Sequence, residues 1–237
     1  MFDRRLYKKQ AREQLKGRWK LPVLLTLLEL VIISCLAEPA FHAAETDISV
    51  KSGSLHFSAS APLVFTLLFF AVNGILTTAG LTVYLRLSRT ERPAGFSNFL
   101  DGLERWLGAA LGGLWFALWT HLWALLFVIP GIIKALSYSQ MFYILAENPA
   151  VGVRKAMRMS KVITQGYKGD LFVMGLSFFG WGFLCVLSCG IGFLWLFPYI
   201  NMSAANTYAA LKNMAIMTNK ITPADFAPAE DTQGDVQ

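Results

Sequence analysis

Six polar side chains interrupt stretches that are otherwise apolar: Glu29, Asn73, His121, Gln140, Asn201 and Asn206. Where water is excluded, an ionisable group left unpaired costs about 2.5–3.5 kcal/mol or more, so each such residue is a functional hypothesis by default. Glu29 could act as a proton or cation site. It could equally be a neutral carboxylic acid that faces other helices and hydrogen-bonds Asn, Ser or Thr, which is the cheaper role. His121, between Trp119 and Trp123, could relay protons or sit as a neutral imidazole bonded across helices. The amides could line a polar passage, although interhelical hydrogen bonds of about 0.6–2 kcal/mol explain them with fewer assumptions.

Catalytic chemistry finds little to work with. The chain contains no GxSxG, HExxH, P-loop or GxGxxG pattern. His42 and His56, with Glu45 and Asp47, follow no metal-ligand spacing. Cys35, Cys185 and Cys189 all lie inside apolar runs; Cys185 and Cys189 share a helix face, but neither has a His or acid nearby to complete a zinc set. They read as small apolar residues rather than a disulfide framework. The expectation is therefore a non-enzyme with no catalytic residue, no metal and no cofactor.

The elements that must carry these residues follow from composition. Of 237 residues 55% are hydrophobic and only 15% charged, with a mean hydropathy of +0.48, whereas a soluble domain carries nearer a quarter charged residues. This predicts an all-α, polytopic transmembrane bundle of about six spans, over residues 21–43, 62–85, 107–129, 131–147, 170–188 and 193–211. The stretch from Leu107 to Ala146 holds one charge, Lys134. As a straight helix it would be about 60 Å long, twice a hydrocarbon core, so it must fold back, and Pro130-Gly131 is its strongest breaker pair. Three domains result: a basic amphipathic helix over 1–20, the transmembrane unit over 21–212, and a disordered cytoplasmic tail over 213–237. The first span resembles a signal peptide, but its long basic leader, Glu29 and the later apolar segments favour an anchor.

Charge fixes the orientation. Of 21 Lys and Arg, eight fall in 1–20, four in 86–106 and five in 150–168; with Lys212 and Lys220 that makes 19 on one side, against Lys51 and Lys134 on the other. The positive-inside rule places the 19, and both termini, in the cytoplasm. Cations at every second gap between apolar runs have no use for nucleic acid, which is excluded as a partner despite a net charge of +6. In the first helix Tyr7, Ala11, Leu15 and Trp19 form a narrow apolar stripe, and the helix either lies among lipid headgroups or is solvated. Arg154, Lys155, Arg158 and Lys161 form a second basic segment, suited to anionic headgroups.

Finer patterns concern packing. Gly108 and Gly112 form a GxxxG, and Ala109 with Gly113 a second small pair, permitting close helix approach. Trp115, Trp119 and Trp123 make a stripe suited to aromatic packing or lipid contact. Lys134 can snorkel to the outer interface, with Glu38 as a partner. Pro198 should kink the sixth span. Gly131 precedes Tyr138, Gln140 and Met141 by seven, nine and ten residues, as Gly192 precedes Tyr199, Asn201 and Met202. That would be a parallel hairpin repeat.

The run Ile129-Pro-Gly-Ile-Ile, then Tyr138 and Tyr-Ile-Leu-Ala-Glu-Asn-Pro ending at Pro149, followed by Ala156, Ser160, Gly166, Leu171-Phe172, Gly190-Ile-Gly and Pro198-Tyr199, resembles the bacterial integral-membrane family catalogued as domain of unknown function 975. That family is related to the non-catalytic membrane domain of some glycerophosphodiester phosphodiesterases. The resemblance implies a bacterial cytoplasmic-membrane location and brings no substrate, cofactor or catalytic residue. The reading that results is a non-enzymatic membrane protein, packing against lipids, other membrane proteins or a second copy of itself. The alternative is a small-solute or ion transporter with a polar passage.

Overall fold

A computed structural model of the chain describes residues 2–44, 50–51, 54–55, 60–90, 95–104, 106–126 and 128–226, the side chains at 38–63, 124–130, 149 and 223 excepted. Among these residues the protein is all-α apart from one antiparallel pair of two-residue strands, β1 (Val50–Lys51) and β2 (Ser54–Leu55). Ten α-helices follow the apolar pattern. Most of the segment between the first two expected spans, and residues 227–237 of the expected tail, lie outside the described residues.

The basic leader folds as α1 (Arg4–Leu15), started by Asp3, whose carboxylate accepts from the backbone N–H groups of Arg5 and Leu6 at 2.9 and 3.2 Å. Its stripe of Tyr7, Ala11 and Leu15 is fully buried, so the helix docks on the protein by the face its spacing marked out. Next come α2 (Lys20–Ala44) and α3 (Ser60–Arg89). The latter is the central element, touching α1, α2, the short α4 (Phe96–Leu103) and α5 (Trp106–Leu126), as well as α7 (Met141–Glu147) and α10 (Phe193–Met217).

Small residues let α3 and α5 approach at backbone distance. A Cβ on Gly113 would stand 2.4 Å from the Phe70 carbonyl oxygen, and one on Gly74 would stand 2.5 Å from that of Ala109. The pair in use is therefore Ala109 and Gly113, facing Gly74. A Cβ on Gly112 would instead meet a Leu145 methyl at 3.0 Å, and one on Gly108 would meet nothing within 4 Å.

Two expectations about the fourth span need correction. Pro130-Gly131 is not the turn: both residues lie inside α6 (Val128–Tyr138). Pro130 occupies its first turn, where the missing N–H would have no helical partner and costs nothing. The span is also not one helix, because α6 ends in a turn at Ser139-Gln140 before α7 begins. Gly131 thus sits inside a helix, while Gly192 immediately precedes α10, which runs unbroken through Asn201 with Pro198 inside it. The matched intervals of the two hairpins fall on different local structures.

After a 3₁₀ turn at Pro149–Val151 the second basic segment forms α8 (Val153–Ile163), which buries Ala156, Met157, Met159, Ser160 and Ile163. Then α9 (Lys168–Leu187) and α10 form a hairpin turned by Cys189 and Gly190, both at positive φ. The tail expected to be disordered from residue 213 is ordered as far as Phe226: α10 continues to Met217, and Ile221 and Phe226 are buried, with the Lys212 ammonium 4.1 Å from the Phe226 ring centre.

Three helical segments are long and apolar enough to cross a membrane: Lys20–Ala37, Val64–Arg89 and Lys168–Leu187. Their outer faces are apolar. Val64 and Phe183 are each 63% exposed and Phe179 76%.

Candidate functional site

The polar residues singled out from the sequence fall in separate places. Glu29 and Asn201 come together. A cavity of about 240 Å³ between α2, α3 and α10 is lined by both, with Thr26, Thr77 and Tyr84. Tyr84 stands beside Thr26 and Asn201 in this lining, and the Thr26 hydroxyl donates to the Pro22 carbonyl at 2.9 Å. The Glu29 carboxylate rests on Gly80, where a Cβ would stand 2.9 Å from its Oε1. Asn73 joins at one remove, its Oδ1 accepting from Thr77 at 3.4 Å. Sequence spacing could mark Glu29 and the amides, but not the hydroxyls of Thr26, Thr77 and Tyr84 that complete the cavity.

His121 stands apart. Its Nδ1 is 2.8 Å from the Ala117 carbonyl oxygen one turn back, and its ring meets Phe70 edge-on at 5.2 Å. Asn206 belongs to the docking of α1, donating to Gln14 Oε1 at 2.8 Å and to the Tyr7 carbonyl at 3.5 Å. Gln140 marks the break between α6 and α7. Its backbone N–H donates to Ser160 Oγ at 3.2 Å, while the Ser160 hydroxyl donates to the Ser137 carbonyl at 2.8 Å. Thr164 adds a longer bond to the same carbonyl. One α8 serine therefore satisfies both backbone groups that the break exposes. The Gln140 side chain is 3% exposed and donates to Ser139; its Oε1 has no partner among the described residues.

The basic face of α8 points away from the bundle, with Arg154, Arg158 and Lys161 exposed and Lys155 half-buried. Arg154 lies 5.6 Å from the Trp115 ring centre, and the Trp115 indole N–H reaches Met157 Sδ at 3.2 Å. Trp119 packs on Trp115, whereas Trp123 carries the Lys134 ammonium at 4.5 Å. The tryptophan stripe is thus divided among three neighbours rather than forming one wall.

An acid that spacing did not single out holds one end of the bundle. Glu147, closing α7, accepts from Arg89 at 2.5 Å, from Lys212 at 2.7 Å and from the Tyr208 hydroxyl at 2.5 Å. It joins α3, α7 and α10. The Arg86–Asp101 pair at 3.1 Å lies beside it, and the two pairs border a cavity of about 330 Å³. Charge-assisted bonds of this kind orient helices firmly. The signal available in the sequence was Glu147 following a long apolar stretch, at the gap where cations collect.

Among the described residues no group of three His, Cys, Asp or Glu is placed to hold a metal ion. Residues 120–215 match the family model described as "Protein of unknown function (DUF975)". No curated protein and no solved structure matches the chain.

Proposed function

We propose that this chain, which belongs to the DUF975 family over residues 120–215, is an integral protein of the bacterial cytoplasmic membrane that works without catalysis, by holding lipids or partner membrane proteins against its helices. The observation that supports this is the apolar exterior of its long helices: Leu24, Val31, Val64, Leu67, Phe179 and Phe183 all face outward. Contiguous apolar surface on this scale is stable against lipid or another apolar face rather than water. In this reading helices over the six expected spans cross the bilayer with both termini in the cytoplasm, where 19 of the 21 cations lie. The apolar face of α8 is anchored on the bundle, which leaves Arg154, Arg158 and Lys161 free to meet anionic headgroups. Membrane lipids are the first partners, with other membrane proteins or self-association alongside; nucleic acid is not among them.

Fractionation tests the reading directly. The protein should stay with alkali-washed membranes, and tags at its two ends should both report the cytoplasmic face. Release without detergent, or tags on opposite faces, overturns it. Neutralising Arg154, Lys155, Arg158 and Lys161 should weaken binding to anionic vesicles; unchanged binding removes the role given to α8.

The cavity at Glu29 favours a second reading, a small-solute or ion passage. Of the six polar candidates it gathers Glu29 and Asn201, with Asn73 one hydrogen bond away. If reconstituted protein carries a cation or solute flux, Glu29→Gln should abolish it. A flux left unchanged by that substitution removes this reading.

A further inference from the structure

Besides the Glu29 cavity, an open groove of about 360 Å³ runs between α1 and the α9–α10 hairpin. Its walls are aromatic and apolar: Trp19, Trp181, Trp195, Tyr199 and Leu184 line it, and Arg12 is its only charged residue among the described ones. Trp181, Leu184 and Trp195 are more than half exposed, so the groove is continuous with the outward apolar surface of α9.

The cationic end is built by α1. Arg12 stands 6.0 Å from the Tyr199 ring centre and makes no ion pair among the described residues, whereas Lys9 is paired with Glu13 at 4.0 Å. Lys8 lies one turn before Arg12, so both point to the same side of α1. Its ammonium sits 3.8 Å from the Phe178 ring centre and bonds the Ser177 hydroxyl. Burial there holds the Lys8 ammonium below its ordinary pKa, and Arg4 adds to the effect. The docking of α1 by Tyr7, Ala11 and Leu15 fixes both cations against the hairpin.

A groove with one apolar, aromatic length and one unpaired cation at its head matches a molecule of complementary design. We infer that the groove holds one anionic membrane lipid, its headgroup phosphate on Arg12 and one acyl chain along Trp181 and Trp195. This rests on the reading of the chain as a membrane protein. The occupant follows from three features together. Charge complementarity requires an anion at Arg12, the lining requires a long apolar tail, and openness toward α9 lets a lipid enter sideways from the bilayer. A free phosphate satisfies only the first, and a neutral lipid only the last two.

The test uses the full chain in detergent, titrated with phosphatidylglycerol or phosphatidylcholine of the same chain length and followed by native mass spectrometry. One phosphatidylglycerol should be retained about fivefold more tightly than phosphatidylcholine, the margin expected of a single interfacial cation. Arg12→Gln should erase that margin, Arg12→Lys should keep part of it, and neutralising the exposed Lys220, which lies outside the groove, should leave it intact. Phosphatidylglycerol brominated in its chains should quench tryptophan fluorescence in the wild type, and quenching should fall when Trp181 and Trp195 are replaced by Phe. Equal retention of the two lipids, or selectivity that survives Arg12→Gln, overturns the inference. Either result leaves membrane integration standing. A chain that needs no detergent would instead remove the reading beneath it.

Discussion

Lys212 of α10 reaches Glu147 at the end of α7, its ammonium 2.7 Å from Oε1 and only 19% exposed. Arg89 comes to the same oxygen from α3, but is 52% exposed. The two cations therefore share one carboxylate in different surroundings. Removing one partner of a fully buried pair costs about 3–5 kcal/mol, because the other is left uncompensated. Glu147→Gln strands the half-sheltered Lys212 and weakens the Tyr208 bond, so it should cost about 2–4 kcal/mol. Arg89→Gln leaves Lys212 and Tyr208 in place and should cost about 1 kcal/mol or less. Thermal unfolding of the detergent-solubilised variants measures both. Equal losses would mean that Glu147 does not join the three helices as described.

Gly113 and Gly108 lie five positions apart on α5 and predict opposite outcomes. A Cβ on Gly113 would collide with backbone, 2.4 Å from the Phe70 oxygen and 2.9 Å from the Gly74 Cα, so α3 and α5 would have to separate. Gly113→Ala should cost about 1–3 kcal/mol, as overpacking does. Gly108→Ala meets nothing and should be neutral or stabilise by up to about 1 kcal/mol through helix propensity. Melting temperatures of the two variants decide the matter, and a Gly108 variant as unstable as the Gly113 one would refute the assignment of the interface.

That contrast shows where the sequence was readable. Two small-xxx-small pairs overlap in α5, and spacing gives no ground for choosing between them. The choice is made by Gly74, on another helix. The helices themselves were legible because apolar runs and cationic gaps are local composition, and the stripe of Tyr7, Ala11 and Leu15 marked the buried face of α1 for the same reason. The break at Ser139-Gln140 was not legible, since it contains neither Pro nor Gly. What permits it is Ser160, 20 residues away from Gln140. The cavity at Glu29 has the same character: its hydroxyls come from helices that only the fold brings together.

Ser160 supplies the next prediction. Ser160→Ala removes the donor to the Ser137 carbonyl and the acceptor for the Gln140 N–H in a region excluded from solvent. The Gln140 N–H loses its partner, at a cost of about 1–3 kcal/mol, and the Ser137 carbonyl is left with only the longer Thr164 bond. Ser160→Thr keeps the hydroxyl and should restore part of the stability, which a purely steric role would not allow. Unfolding of the two variants, with hydrogen exchange at Gln140, reads the effect directly. Unchanged protection at that amide in Ser160→Ala would rule out the capping role.

Asn206 is the polar half of the α1 docking, with Tyr7, Ala11 and Leu15 as the apolar half. It is 8% exposed and donates to Gln14 Oε1 at 2.8 Å. Replacing it with Leu leaves the Gln14 acceptor and the Tyr7 carbonyl without this donor while the apolar stripe stays in place. The penalty falls on the undocking of α1 rather than on global unfolding, because α1 is terminal and opens locally. A loss of about 1.4 kcal/mol raises the undocked population about tenfold, and trypsin cleavage at Arg12 and Lys16 should accelerate by the same factor. Gln14→Leu should cost more, since it also removes the bond to the Ser88 carbonyl at 3.2 Å, and the double substitution should cost less than the sum of the two, because both remove the shared Asn206–Gln14 bond. If α1 instead lay loose among lipid headgroups, cleavage would be fast in the wild type and indifferent to Asn206. The lipid selectivity placed at Arg12 would weaken in step with that cleavage, because the same docking holds Arg12 over the hairpin.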